Sequence, residues 1–251
     1  MIFRPFLIAL QFLTRLPVRL RGTPDERVIG QSLLYYPLVG LLIGLLLAGI
    51  DAALAGSAAL VRAALLLAAW VLITGALHLD GLADSADAWL GGYGDRERTL
   101  AIMKDPYCGP AGVVTLVIVL IAKFAALASL TGSNHGVGLV LAPLLGRAVI
   151  PLLFLTTPYV RPGGLGDALA GNAPRRSIIL LLLVVSISVL LILGQRAGWL
   201  LLGMGLCFLI LRRLMMQRIG GTTGDTAGAL VEVTEVTVLI TLTLYPAIPS
   251  V

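Results

Sequence analysis

Only 13 of the 251 residues are acidic, and three of them form a pattern: Asp80, Asp84 and Asp87 in Gly75-Ala-Leu-His-Leu-Asp-Gly-Leu-Ala-Asp-Ser-Ala-Asp87. Their spacing of i, i+4 and i+7 puts three carboxylates on one face of a helix. Like charges placed this way repel one another and disfavour the helix unless a cation holds them. A hard divalent ion such as Mg²⁺ takes oxygen ligands of this kind, completed by water and substrate phosphates. A second stripe, Asp225, Gly228, Glu232 and Glu235, follows i, i+3, i+7 and i+10 after Gly220-Gly-Thr-Thr-Gly-Asp225. Gly228 on that stripe would let another helix or a ligand come close. The two stripes point to metal-assisted chemistry.

Other residues could serve that chemistry. Lys104 and Asp105, in the Pro/Gly-rich turn running to Gly109, suit a phosphate contact beside a metal ligand or base. Gly109, Gly221, Thr222 and Thr223 stand at helix entrances, where free amides and hydroxyls suit an anion. The competing reading is an ordinary capped turn. His78 is a candidate proton acceptor or a packed helix-end histidine. Arg147 could bind phosphate or pair with an acid. Glu232 and Glu235 would lie at hydrocarbon depth, where an ionised side chain needs a partner; they are functional candidates, or else ion-pair partners of Lys123 or Arg147. No G-x-S-x-G elbow, zinc, haem or P-loop pattern occurs.

The elements that must position these residues are membrane helices. The chain is 58% hydrophobic and 12% charged, with mean hydropathy +1.00. A soluble domain carries roughly twice that charged fraction. Apolar windows predict seven spans at about 33–55, 58–79, 110–130, 136–157, 177–194, 198–214 and 227–248. The fold class is therefore all-α, a polytopic helical bundle in one domain over 1–251, because lipid forces each span to satisfy its own backbone. The first residues read as an interfacial or re-entrant segment with Phe6, Leu10 and Leu13 on one side. Of 18 basic residues, 14 fall in connections that seven alternating spans place on one side. This predicts a cytoplasmic N-terminus and an external C-terminus, and it accounts for the net charge of +5 without nucleic acid. Cys108 and Cys207 form no disulfide framework, and His135 falls in a short external turn.

The sequence resembles the cobalamin synthase family of adenosylcobinamide-GDP ribazoletransferases over nearly its whole length. The resemblance is carried by Phe6-Leu-Ile-Ala-Leu-Gln-Phe-Leu-Thr-Arg-Leu-Pro17, Tyr36-Pro-Leu-Val-Gly40, the run from Gly75 to Asp87, Met103-Lys-Asp-Pro-Tyr-Cys-Gly109 and the run from Gly220 to Ala229 with Glu232 and Glu235. Pro106-Tyr107-Cys108 departs from the family pattern. The resemblance implies a Mg²⁺-dependent transfer in the bacterial cytoplasmic (inner) membrane. In it α-ribazole, or its 5′-phosphate, attacks adenosylcobinamide-GDP and releases GMP. Asp80, Asp84 and Asp87 would be metal ligands, with Asp225 and Glu232 at a second site. Asp105 or Glu235 would take the hydroxyl proton, and Lys104 and Arg147 would bind phosphate. Self-association and association with other corrinoid-pathway enzymes stay open. The competing enzyme class is the CDP-alcohol phosphotransferases, but Asp80-Gly-Leu-Ala-Asp84 lacks their upstream aspartate and their arginine. A proton- or cation-coupled transporter is the non-enzyme alternative, against which stands the gathering of acids at one membrane face.

Overall fold

In hydrocarbon an unpaired backbone N–H or C=O has no water to turn to, so apolar runs close their hydrogen bonds within a helix. The computed structural model describes residues 3–20, 22–130 and 133–244. Along them run α1 (Phe3–Leu13), α2 (Glu26–Ser32), a 3-10 turn (Leu33–Tyr35), α3 (Tyr36–Ala53), α4 (Ala59–Thr74), α5 (Leu77–Gly91) and α6 (Arg96–Ile102). Then follow α7 (Pro110–Ser129), α8 (Ser133–Thr156), α9 (Gly164–Gly171), α10 (Arg175–Leu193), α11 (Arg196–Ile219) and α12 (Gly224–Leu244). Among the described residues the only β pairing is an isolated parallel bridge between Tyr159 and Thr222.

Among the described residues six stretches are long and apolar enough to cross a membrane, and the count reaches the expected seven only with the bent pair α4–α5 taken as one span. Three boundaries differ from the sequence reading. The second span was expected to run to residue 79, but α4 stops at Thr74 and α5 leaves at 88° to it. Gly75 and Ala76 both sit in the left-handed region at φ 63° and 57°, which breaks the helix. The polar half of the motif thus forms its own helix, α5, which carries Asp80, Asp84 and Asp87 as their spacing predicts. The sixth span, expected to end at 214, runs on to Ile219. The last begins at Gly224, so Asp225 lies in its first turn. The expected end of that span at 248, and the His135 side chain, lie outside the described residues.

Two helices form the centre: the apolar windows of α8 and α12 are 78% and 61% buried, against 17% for α10 and α11. Small residues bring the central helices together. A Cβ on Gly40 of α3 would lie 2.3 Å from the Pro143 carbonyl oxygen of α8, and one on Gly44 2.6 Å from the Val140 Cα. Backbone-to-backbone contact through glycines one turn apart suits lipid, where close packing rather than water expulsion drives association. The outer helices turn Leu180, Leu183, Leu191 and Leu209 outward. The stripe of α1 faces inward: Leu10 and Leu13 are buried and Phe6 meets the Tyr35 ring edge-on at 6.0 Å.

Candidate functional site

The break after Thr74 is held from outside. Arg15 donates its backbone N–H to the Ile73 carbonyl at 2.8 Å, and its side chain fills the space where a Gly75 Cβ would stand. From there α5 runs across the start of α12. A Cβ on Gly81 would fall 2.7 Å from the Asp225 carbonyl oxygen, and one on Gly228 3.3 Å from the His78 Cα. The expectation that Gly228 admits another helix is met by α5. These contacts set Asp80 and Asp84 beside Asp225. Asp80 is exposed and Asp84 and Asp225 are half-buried. Partial burial, then the charges of Asp80, Asp225 and Asp87, push the Asp84 carboxyl up to about 6, with Arg161 opposing. Arg161 Nη2 lies 2.8 Å from Asp225 Oδ2. The Arg161 Nε is buried and has no hydrogen-bond partner among the described residues.

Asp87 has a different environment from its neighbours. Its Oδ2 accepts from the Gly109 amide at 2.7 Å and its Oδ1 from the Gly112 amide at 2.9 Å. The anion expected at the entrance of α7 is thus a side chain of the protein, and the Gly109 amide is not free for substrate. Lys104 and Asp105 are exposed in the turn after α6, where Asp105 Oδ1 accepts from the Tyr107 amide at 3.1 Å. The hydroxyls expected to be free at the entrance of α12 are buried. Thr223 Oγ1 accepts from the Thr226 amide at 3.3 Å while Thr226 Oγ1 accepts from the Thr223 amide at 2.9 Å, a reciprocal cap. Thr222 Oγ1 and Thr226 Oγ1 are 2.9 Å apart. Gly221 packs on the Pro158 carbonyl, and the Thr222 amide donates to it at 2.8 Å. Backbone pairing therefore fixes Tyr159 and Arg161 against α12.

Deeper in the bundle, the acids of α12 are neutralised. Glu232 Oε2 accepts from Lys123 Nζ at 2.6 Å. Glu235 pairs with Lys123 through Oε2 and with Arg147 through Oε1. Arg147 Nη2 lies 3.3 Å from His78 Nδ1, and Lys123 stands 4.8 Å from the Trp70 ring centroid. Glu235 and Arg147 have no exposed surface. This arrangement is the ion-pair alternative for Glu232, Glu235 and Arg147, and each of the three has its charge engaged by a protein partner. An ionised side chain in hydrocarbon is held by its nearest opposite charge, and two cations and two anions here cancel. A guanidinium can only donate, so His78 Nδ1 must accept, and Nδ1 is not the proton-bearing nitrogen of a neutral ring.

Among the described residues no three His, Cys, Asp or Glu side chains make a closed metal-ligand group. The donor set does fit a Mg²⁺ ion held by one or two carboxylates and completed by water and phosphate oxygens. The like-charge crowding that raises Asp84 is what such an ion would relieve. Beside Asp80 and Asp225 opens a cavity of about 250 Å³, walled also by Tyr36, Phe154 and Leu169. A larger apolar cleft, about 590 Å³ between α8, α10 and α11, contains none of the carboxylates.

The cobalamin-5-phosphate synthase family model matches residues 5–243. The chain belongs to that family. It is similar to the adenosylcobinamide-GDP ribazoletransferase of Pseudomonas savastanoi pv. phaseolicola, 58% identical over 240 residues that cover 96% of this chain and 99% of that one. It is also similar to the adenosylcobinamide-GDP ribazoletransferase of Pseudomonas putida (strain W619), 61% identical over 96% of this chain and 98% of the relative. No solved structure matches. Within this family member the sequence reading missed Arg161 and Tyr159 as site residues. They belong to no acidic motif, and only the bridge to Thr222 brings them in; the prolines at 158 and 162 were the one local hint of a rigid segment.

Proposed function

We propose that this chain transfers α-ribazole, or its 5′-phosphate, to adenosylcobinamide-GDP with release of GMP, at one face of a bacterial cytoplasmic membrane. The observation that carries this reading is the meeting of Asp80, Asp84 and Asp225 with Arg161 at the rim of a cavity, in a chain of this family. Asp80, Asp84 and Asp225 would hold Mg²⁺. When bound, the ion would neutralise pyrophosphate charge and stabilise charge developing on the leaving phosphate. Arg161, with N–H groups to spare, would bind a phosphate oxygen. The new bond joins a ribose hydroxyl oxygen of the acceptor to the cobinamide-side phosphorus. The phosphoanhydride bond to GMP breaks and the hydroxyl proton passes to a carboxylate. Asp87 shapes the site by capping α7, and Lys104 and Asp105, exposed nearby, would meet the outer part of a large substrate. The charge distribution supports a cytoplasmic N-terminus and this site on the cytoplasmic face.

The test is GMP release by purified protein in lipid given adenosylcobinamide-GDP and α-ribazole. Stoichiometric GMP and corrinoid product, lost with EDTA and restored by Mg²⁺, is the expected outcome. Turnover unchanged by EDTA would remove the metal centre, and absence of product from folded protein would remove the reaction.

A further inference from the structure

The transfer brings together two substrates of very different size, and the cavity beside the carboxylates can admit a ring system from only one of them. Its volume is about 250 Å³, below the roughly 300–1,000 Å³ of sites for drug-sized ligands. A corrin macrocycle with its substituents is far too large for it, while one flat bicyclic ring is not. The walls also discriminate. The carboxylates come from α5 and α12; α1, α3, α8 and α9 contribute apolar or aromatic residues, with Phe12, Tyr36, Ile150, Phe154 and Leu165 among them. Two aromatic pairs stand in these walls, Phe12 with Tyr36 at 6.4 Å and Phe154 with Tyr159 at 5.9 Å between ring centroids. No Asn, Gln, Ser, Thr, Lys or Arg side chain lines the space. Among the lining side chains a guanine ring, with donors and acceptors along its edge, finds only His78, a tyrosine and the two carboxylates that the phosphate chemistry needs, and burying it unmet is costly.

We propose that this cavity holds the base of the acceptor nucleoside, a flat apolar bicyclic aromatic, with its ribose at the Asp80–Asp225 rim, while the corrinoid and guanine stay outside. Rings of this kind gain from apolar burial and from edge or offset contacts with the wall aromatics. The inference rests on the transfer proposed above and adds which substrate enters the protein. It also gives α1 a role: Phe12 closes one wall, so the N-terminal helix belongs to the acceptor site.

Leu165→Trp, at a half-buried wall position, fills the cavity, and Phe12→Ala opens it. Each is measured in the full-length protein in lipid by calorimetric binding of α-ribazole alone, by KM for each substrate, and by the melting profile as the control for folding. Leu165→Trp is expected to weaken α-ribazole binding and raise its KM about tenfold or more, the scale on which small volume changes in apolar pockets act, while KM for adenosylcobinamide-GDP stays within about twofold. Phe12→Ala is expected to improve the relative use of an acceptor with a bulkier base. Unchanged α-ribazole binding in folded Leu165→Trp, or a rise confined to the corrinoid KM, would overturn the proposal even if the wild type turns over. Conversely, wild-type binding that is lost in Leu165→Trp without any turnover would keep the cavity and remove the reaction. If Leu165→Trp does not fold, equal selectivity of Phe12→Ala and wild type across acceptor bases overturns the proposal.

Discussion

Asp84 and Asp87 are three residues apart on the same face of the same helix, yet they are placed for different work. Asp84 faces like charges, and Asp87 caps a helix with both oxygens. Asp84→Asn should therefore cut kcat by at least about 100-fold, since even the residues that only orient metal ligands are worth 10–100-fold, while leaving the melting temperature unchanged or higher. Asp87→Ala should lower stability by about 1.5–3 kcal/mol, the scale of hydrogen bonds to a charged group, seen as a lower melting temperature in lipid. The pH dependence follows from the sign of the Asp84 shift. A carboxyl whose folded value is raised to about 6, above the ordinary value near 4, destabilises the fold when ionised. In metal-free buffer the protein should gain stability as pH falls through about 6 and on to about 4, and Asp84→Asn should flatten that slope. Mg²⁺ competes with the same proton, so its affinity should fall over the same range. Melting profiles across pH, with and without Mg²⁺, check both.

At the scale of the elements, α12 gathers the molecule. Its first turn carries Asp225 to the site, and its middle is tied by Lys123 of α7 and Arg147 of α8 through Glu232 and Glu235. Removing one member leaves an unbalanced charge where water does not reach. Lys123→Met should cost about 3–5 kcal/mol, the usual result of breaking a buried pair from one side. Lys123→Met combined with Glu232→Gln should recover part of that loss, because Arg147 and Glu235 remain balanced. A double cycle of melting temperatures measures the difference. If the double variant is no more stable than Lys123→Met alone, the cluster is not held by charge balance.

For the whole molecule, the site sits where α5, beyond the break after α4, crosses the start of α12, and the outer helices α10 and α11 carry exposed apolar side chains. Leu183, exposed in the middle of α10, should tolerate alanine, whereas aspartate there should impair insertion by about 2.5–3.5 kcal/mol, read as loss of carbonate-resistant membrane protein. Cys108 tests sidedness. It is exposed at the entrance of α7, and an impermeant maleimide should label it in inverted vesicles and not in intact spheroplasts. Local desolvation, then the charges of Asp87, Asp84 and Asp80, raise its thiol above the usual range, so labelling should quicken at alkaline pH.

Local periodicity made much of this legible from the amino-acid sequence. The span count, the shared face of Asp80, Asp84 and Asp87, and the stripe on α12 are properties of single helices, whose geometry repeats every 3.6 residues. Partnership is not local. Glu235 meets cations 88 and 112 residues away, so whether it was a free base or a neutralised one depended on how α7, α8 and α12 pack. Arg161 reaches Asp225 only because Thr222 pairs with the segment at 158–160. The 88° turn after α4 needed two consecutive left-handed residues, one of them an alanine, which no hydrophobic pattern announces. The kinds of chemistry available were written in residue type and spacing. Tertiary packing decided which charges were neutralised, which remained free for substrate, and where the cavity opened, because a charge in a low-dielectric interior takes its role from whatever lies within a few ångströms.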